Sequence, residues 1–173
     1  MTGVGRHAPG GRHTSAAADR GAFGTWVTPH VSALSRYAHR LVPADVADDV
    51  VQEALVRAWS RWSTYDPSRG AAAPWLLAIV ADQARRHRTR APQPPAVLAD
   101  DAASTGPPEP DVDLERAVAR LSERQRQAVD LYYFVGLDVA SVAQTMGCAP
   151  GTVQATLHHA RARLRELLGD SDD

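Results

Sequence analysis

Apolar residues recur at three- and four-residue steps through the first half of the chain. One series covers residues 23–41, a second covers 46–62, and a third follows Pro74. This spacing predicts three amphipathic helices, the first of which ends at Pro43. Residues 64–70 are rich in turn formers and predict a loop before the third helix, which starts near Pro74 and ends in an Arg-rich stretch. No alternating strand pattern appears.

The second half of the chain is also helical by pattern. A short apolar series begins at Val112. Ser122 and Gln125 stand at the spacing of a capping box, and they predict a helix that runs to about Val135. Gly136 then ends this helix, because glycine tolerates the backbone angles of a helix terminus.

Residues 139–157 have the spacing of a helix-turn-helix. Asp138 is a good N-cap for a short helix that ends at Met146–Gly147, and Pro150 opens a long last helix to about Leu168. Ala143 is small enough to let the two helices cross closely, and Gly147 permits the turn. Chance placement of small and apolar residues in an Ala-rich helix pair is the alternative. The apolar positions that would fix the angle between the helices are Val142, Val153 and Leu157.

Composition divides the chain into five segments. Residues 1–20 predict a disordered tail, 21–91 a helical domain, 92–111 a flexible linker rich in Pro and acids, 112–169 a second helical domain, and 170–173 an acidic tail. The net charge of −1 hides nine Arg against six acids in 21–91. The fold class predicted is therefore all-α, with two small helical domains joined by a flexible acidic linker.

Several classes of protein are excluded by composition. One cysteine provides neither a disulfide framework nor a Cys-based zinc site. The longest apolar run is interrupted by Pro74 and is too short to span a membrane, and no secretory signal is visible. No nucleophile–base constellation or phosphate-binding loop appears, so we expect no enzyme, no cofactor and no metal. These features favour a cytoplasmic protein.

Two long segments resemble one protein family. LSERQRQAVDLYYFVGLDVASVAQTMGCAPGTVQATLHHARARLREL resembles region four of sigma-70-family initiation factors, and DDVVQEALVRAWSRWSTYDPSRGAAAPWLLAIVADQARRHRTR resembles their region two. With the short length and the linker, the chain resembles the extracytoplasmic-function (ECF) sigma factors. The resemblance implies an alternative sigma factor with core RNA polymerase and promoter DNA as partners, an anti-sigma factor as regulator, and no membrane insertion.

The resemblance assigns polymerase docking to the helix that begins near Asp48. Three of its residues, Asp49, Gln52 and Glu53, fall on one side and would present acceptors to a partner. The alternative is that the acids here only favour a helix N-terminus. The implied polymerase-binding residues are Asp48, Asp49, Gln52, Glu53, Leu55 and Arg57.

For the −10 promoter element, the resemblance implies a loop that captures an unstacked base and a basic helix that follows it. The Arg cluster has an alternative interpretation as a solvated helix end. Asp82 places a negative charge on the proposed DNA path, tolerable if it pairs with Arg85 or Arg86. Trp59, Trp62 and Trp75 are expected in the core. The implied −10 residues are Tyr65, Asp66, Arg69, Gln83, Arg85, Arg86, Arg88 and Arg90.

For the −35 element, the last helix would enter the major groove. Gln154 can pair bidentately with adenine, and Arg161 and Arg163 would meet phosphates. Relatives often carry Lys or Arg where this chain has Gln154, Thr156 and His159, which predicts weaker attraction to phosphates. The implied −35 residues are Thr152, Gln154, Ala155, His158, His159, Arg161 and Arg163.

Two other functions stay open at this point. A free-standing helix-turn-helix regulator would bind duplex DNA without polymerase, but it would leave the acidic helix and the 65–70 loop unexplained. A degenerate sigma-like interaction module would sequester a partner, and the missing charges of the last helix favour it.

Overall fold

The computed structural model describes residues 16–90 and 112–169, and within these ranges the side chains at 16–20, 69 and 112 are not described. The predicted linker at 92–111, the acidic tail at 170–173 and residues 1–15 lie outside the described residues. All regular structure in the described part of the chain is helical. The predicted all-α fold is confirmed.

The first body, residues 16–90, consists of four α-helices, with 3₁₀ turns between the first and second and between the third and fourth. Its helices are α1 (Ala16–Val27), α2 (Val31–Leu41), α3 (Ala44–Arg61) and α4 (Ala72–Arg90). Helices α2, α3 and α4 pack against one another. The buried side chains of Leu34, Tyr37, Val50, Leu77 and Val80 form the centre of this body, as the apolar periodicity predicts.

The beginning of this body differs from the prediction in two ways. Helix α1 starts at Ala16, so residues 16–20 are helical where a disordered tail was expected; alanine favours helix, and the buried Phe23 anchors it. The single helix predicted over 23–41 is two helices separated by a 3₁₀ turn at Thr28–His30. Pro29 is the physical reason, because it lacks the N–H group that a continuous helix requires.

The four tryptophans of the chain all lie in one aromatic cluster of the first body. Trp26 contacts the rings of Trp62 and Trp75 at centroid distances of 6.1 and 6.0 Å, and Phe23 meets Trp59 edge-on at 5.3 Å. The tryptophans are half-buried against the core. This packing agrees with the expectation that Trp59, Trp62 and Trp75 are core aromatics.

The second body, residues 112–169, contains the remaining helices of the described chain. They are α5 (Val112–Ala119), α6 (Glu123–Val129), α7 (Val139–Met146) and α8 (Pro150–Gly169). The predicted capping box is present, with the Gln125 backbone N–H bonded to Ser122 Oγ and the Ser122 N–H bonded to Gln125 Oε1. The predicted N-cap is also present, because Asp138 Oδ1 accepts from the Ser141 N–H at 2.7 Å.

The helix predicted to reach Val135 widens after Val129 into a π-helical turn at Asp130–Phe134. The turn closes with a hydrogen bond of 2.9 Å from the Val135 N–H to the Asp130 carbonyl oxygen. Asp130 is buried, whereas Tyr132, Tyr133 and Phe134 are exposed. The wider turn therefore places a carboxylate inside the molecule and an aromatic group outside.

The two bodies pack against each other. Helix α7 lies against α4, and the π-helical turn lies against α2. Buried residues of both bodies form one continuous apolar cluster. This arrangement decides which of the predicted surfaces are accessible.

Candidate nucleic-acid and protein interfaces

One face of α3 is acidic and open to solvent. Asp49, Gln52 and Glu53 are exposed at helical positions i, i+3 and i+4, and Asp48 beside them is exposed too. Val56 continues the same face at i+7 and is 69% exposed. An exposed valine among acids is unusual on a face that contacts only solvent. The sequence prediction did not include Val56 in the docking set, although its i+7 position relative to Asp49 could be read from the sequence.

Leu55 and Arg57 are placed differently from the acids. Both are half-buried, and Leu55 packs against the core. The Nε atom of Arg57 is buried and has no hydrogen-bond partner within the described residues. These two side chains lie beside the acidic face and are less exposed than its acids.

The loop between α3 and α4 is held by its own polar side chains. Tyr65 donates its hydroxyl proton to the Gly70 carbonyl oxygen at 3.0 Å, and its ring contacts Trp26 and Trp75. Asp66 Oδ1 accepts from the backbone N–H of Ser68 at 2.9 Å and from its hydroxyl at 2.7 Å. Asp66 therefore shapes the loop. The side chain of Arg69 lies outside the described part.

The Arg-rich end of α4 is accessible but partly paired. Asp82 bridges Arg85 and Arg86 at 3.0 Å each, the pairing that would make its negative charge tolerable near DNA. Arg88 reaches Glu123 of the second body at 3.0 Å. Arg90 is exposed at the end of the helix.

Gln83 is buried, whereas its predicted role in reading the −10 strand requires an exposed side chain. The side chain is only 6% exposed, so in this arrangement it cannot contact a DNA strand. Its helical neighbours Ile79, Val80 and Ala84 are buried with it, and the buried stripe of α4 is wide enough to include position 83. The polar character of glutamine gave a misleading signal of exposure.

The helix-turn-helix has the predicted geometry. Val142, Ala143, Val153 and Leu157 are buried between α7 and α8. Gly147 ends α7 with φ +63° and ψ +41°, the left-handed conformation that glycine adopts most easily. The Cys148 N–H bonds to the Ala143 carbonyl oxygen at 3.0 Å, which closes the turn.

The outer face of α8 presents the predicted −35 residues to solvent. Thr152, Gln154, Ala155, His158 and His159 are all exposed. Arg161 is exposed and donates to the Leu157 carbonyl oxygen, and Arg163 pairs with Glu166 at 3.0 Å. The face is polar and carries little net positive charge, so it offers hydrogen-bonding groups more than attraction for phosphates.

A partly buried ion-pair network connects the two bodies, with Asp130 as its fully buried member. Arg40 of α2 donates through Nε to Asp130 Oδ1 at 2.9 Å and through Nη1 to Glu115 at 2.8 Å. Burial raises the pKa of the Asp130 carboxyl, against the attraction of Arg40. Burial also opposes the charge on Arg40, but Glu115 and Asp130 outweigh it, so the Arg40 pKa is raised. Asp130 Oδ2 is buried without a hydrogen-bond partner in the described chain.

Two features are absent from residues 16–90 and 112–169. No group of three or more His, Cys, Asp and Glu side chains is arranged to hold a metal ion there. None of the helices in these ranges has the length and apolar character that a bilayer crossing demands.

The second body contains a helix-turn-helix whose outer helix is polar and exposed, and the first body contains an Arg-rich helix. These features together are typical of helix-turn-helix transcription proteins. Residues 26–92 match the family model described as Sigma-70 region 2, and residues 111–164 match Sigma-70, region 4. The ECF RNA polymerase sigma factor SigL of Mycobacterium tuberculosis is 32% identical over 164 residues, with 89% of this chain and 93% of SigL covered. The RNA polymerase sigma-E factor of Streptomyces coelicolor is 34% identical over 154 residues, covering 84% and 85%.

Two solved structures share the fold. The sigma factor RpoE of Bartonella quintana, in complex with the anti-sigma factor NepR, superposes with a TM-score of 0.67 at 27% identity, covering 86% of this chain and 97% of that one. CnrH, in complex with the cytosolic domain of CnrY, gives a TM-score of 0.67 at 26% identity and covers 91% and 93%. The chain belongs to the ECF group of the sigma-70 family and is an alternative sigma factor that directs transcription.

Proposed function

We propose that this sigma factor docks on core RNA polymerase through the exposed face of α3 and recruits it to a restricted set of promoters. The observation that carries the proposal is the combination of acids with the 69%-exposed Val56 on one helix face. Acids attract basic groups of a partner, and an exposed valine gains free energy when it is covered. The docking set is Asp48, Asp49, Gln52 and Glu53, bordered by Leu55 and Arg57.

The first body would hold the −10 strand once its surface is free. The loop around Tyr65 would receive an unstacked base, and Arg85, Arg86, Arg88 and Arg90 would contact phosphates. Arg69 belongs to this set by its position in the loop. Asp66 is proposed as the organiser of the loop, since its carboxylate already caps the turn at Ser68. Gln83 is left out of the contact set because it is buried.

The second body would read the −35 duplex with the outer face of α8. Thr152 and Gln154 offer hydrogen bonds to base edges, while Ala155 allows close approach to the groove. The outward His158 and His159 add donors, and Arg161 and Arg163 lie further along the helix where phosphates would pass.

The chain would bind and position other molecules and carry out no catalytic step. Its place of action would be the cytoplasm, where polymerase and chromosome are. The sigma factor RpoE was solved in complex with the anti-sigma factor NepR, and CnrH in complex with the cytosolic domain of CnrY. We propose an anti-sigma factor as the regulator here too.

Glu53→Arg tests the docking face. The reversed charge should repel the basic partner surface and weaken co-purification with core polymerase by about tenfold or more. Asp113→Arg is the matched control, since it makes the same charge change at an exposed site of the second body. Equal polymerase binding by Glu53→Arg and wild type would refute the docking face.

Gln154→Ala tests the reading helix. Transcription start sites mapped on genomic DNA with reconstituted polymerase should show relaxed preference at one −35 position, worth about 1–3 kcal/mol. Affinity for unrelated duplex DNA serves as the internal control and should stay the same. A free-standing regulator would instead show full promoter selectivity without polymerase, and an interaction module would direct no initiation.

A further inference from the structure

The Arg-rich helix α4 contains a single acidic residue, Asp82. Both oxygens of its carboxylate are in ion pairs: Oδ1 lies 3.0 Å from Nη2 of Arg85, and Oδ2 lies 3.0 Å from Nη2 of Arg86. The two arginines stand three and four residues after Asp82, the spacing at which side chains of a helix meet. One carboxylate therefore compensates part of the charge of two arginines that are proposed to contact the −10 strand.

The three side chains lie on the solvent side of α4. Arg85 and Arg86 are exposed and Asp82 is half-exposed, whereas Gln83 and Ala84 between them are buried. The closest contacts with Asp82 involve one nitrogen of each guanidinium group, and a guanidinium carries five N–H donors. Each arginine can therefore donate to a phosphate while it stays beside Asp82. The group of three, however, offers a net charge of +1, where the two arginines alone would offer +2.

Helix stabilisation is the alternative role of this acid. A carboxylate is favourable in the first turn of a helix, where it faces the positive end of the dipole, but Asp82 lies in the middle of α4. Exposed ion pairs at this spacing stabilise a helix only weakly. The main physical consequence of Asp82 is therefore the lower positive charge of the surface that it shares with Arg85 and Arg86.

We propose that Asp82 tunes the −10 site: its carboxylate lowers the attraction of Arg85 and Arg86 for phosphates and so sets the strength and the salt dependence of strand binding. The inference rests on the proposed contact of the Arg-rich end of α4 with the −10 strand. Contacts with phosphates carry no sequence information, so Asp82 weakens the binding of any strand and leaves a larger share of the binding free energy to the captured base. Asp82 acts through the two arginines and is a positioning residue.

The proposal predicts a defined change in salt dependence. When a protein neutralises one more phosphate of a single strand, the slope of log K against log[salt] becomes steeper by about 0.7. Asp82→Asn keeps the size of the side chain and leaves the surface with one more net positive charge. A slope difference of about 0.7 corresponds to an affinity about fivefold above wild type at about 0.1 M salt, which disappears near about 1 M.

The experiment measures fluorescence anisotropy of a fluorescein-labelled oligonucleotide with the full-length chain over a series of salt concentrations. One oligonucleotide carries the non-template −10 strand from the mapped start sites, and a second carries the same bases in scrambled order. We expect Asp82→Asn to steepen the slope by about 0.7 with both strands. Asp82→Glu retains the negative charge and should behave like wild type, whereas a purely structural role would change the thermal unfolding midpoint and leave the slope unaltered.

Two further variants show where the effect arises. Asp113→Asn is the matched control, because it removes an exposed acid that pairs at the same i, i+3 spacing with Arg116 of the second body, and its slope should equal that of wild type. Arg85→Gln tests the phosphate contact itself. It removes one positive charge beside Asp82, and we expect it to make the slope shallower by about 0.7.

These variants distinguish failure of the tuning role from failure of the proposed function. If Arg85→Gln flattens the slope but Asp82→Asn does not steepen it, the role of Asp82 is wrong and the −10 contact of α4 stands. An equal steepening by Asp113→Asn, or by Asp82→Glu, would also overturn the role of Asp82. If neither Asp82→Asn nor Arg85→Gln changes the slope, or if no strand binds while polymerase-dependent initiation persists, the −10 contact of α4 is wrong and the tuning role with it. If the wild-type chain directs no initiation, the proposed function itself fails.

Discussion

At the scale of single residues, buried polar groups hold the contact between the two bodies. Tyr37 accepts from the Gln127 side chain of the second body at 3.4 Å. Burial raises the pKa of the Tyr37 hydroxyl to about 12, so it stays protonated under all ordinary conditions. Asp130 is fully buried and depends on Arg40 for its charge compensation. A buried carboxylate without its cation is strongly unfavourable. The two bodies therefore pack favourably only in an arrangement that pairs Arg40 with Asp130.

Asp138 offers a test at this scale. The Ser141 backbone and side chain hydrogen-bond to its carboxylate and lower the Asp138 pKa below the ordinary 3.8. A lowered pKa in the folded state stabilises the protein at pH above 3.8, and this contribution is lost as the pH falls through the lowered pKa. We expect Asp138→Ala to reduce the thermal unfolding midpoint at neutral pH and to approach wild type in acid.

Asp138→Asn is the control for this prediction. Asparagine still caps the helix but carries no titrating charge, so its effect should be smaller and should change little with pH. An Asp138→Ala deficit that is the same at neutral and strongly acidic pH would contradict the role of the charged cap.

At the scale of elements, the turn of the helix-turn-helix depends on one backbone conformation. Gly147 has φ +63°, whereas Gly151 lies in the first turn of α8 with helical geometry, and a Cβ would meet nothing within 4 Å at either site. The two glycines therefore differ in backbone angle alone. Replacing each glycine by alanine therefore measures the effect of the backbone conformation without a steric overlap of the new Cβ atom.

We expect Gly147→Ala to destabilise the protein by about 1 kcal/mol, because alanine is strained in the left-handed region. Gly151→Ala, the matched variant, should stabilise it by about 0.5–1 kcal/mol, because alanine loses less entropy in a helix. Urea denaturation of both variants measures the free energy of unfolding. A loss of stability in both, or in neither, would show that the turn does not require the left-handed conformation.

At the scale of the whole molecule, the two bodies share one apolar core and one buried ion pair. This contact has two consequences. It should make the bodies unfold together, and it places α7 against α4, whose Arg-rich end we propose as a contact for the −10 strand. Arg88 of the proposed −10 contact set pairs with Glu123 across this contact, so we expect DNA binding there to compete with that ion pair.

Arg40→Leu tests this coupling. It leaves Asp130 as an uncompensated buried charge, which costs about 3–5 kcal/mol at the contact. Calorimetry should show a single transition for wild type and two separated transitions for the variant, since each body keeps its own helices. Arg116→Leu is the control, because among the described residues Arg116 pairs with Asp113 of the same helix and both side chains are exposed. A single transition in Arg40→Leu at the wild-type temperature would contradict the ion pair as the connection.

The sequence by itself determined the helices, their caps and the helix-turn-helix. The capping box at Ser122, the N-cap at Asp138 and the left-handed turn at Gly147 depend on residues within a few positions of one another, so local spacing is sufficient to predict them. The exposed face of α8 followed from the same periodicity. The break at Pro29 is local too, but the apolar periodicity continues across it, and the single helix predicted over 23–41 was wrong.

Only the tertiary structure decided how these elements meet. The pairing of Arg40 with Asp130 joins residues 90 positions apart, and the contact of Gln144 with Gly70 joins a helix of one body to a loop of the other. The burial of Gln83 and the exposure of Val56 depend on which neighbours pack nearby. Periodicity along a chain records which side of a helix is apolar, but it carries no information about the distant element that covers that side.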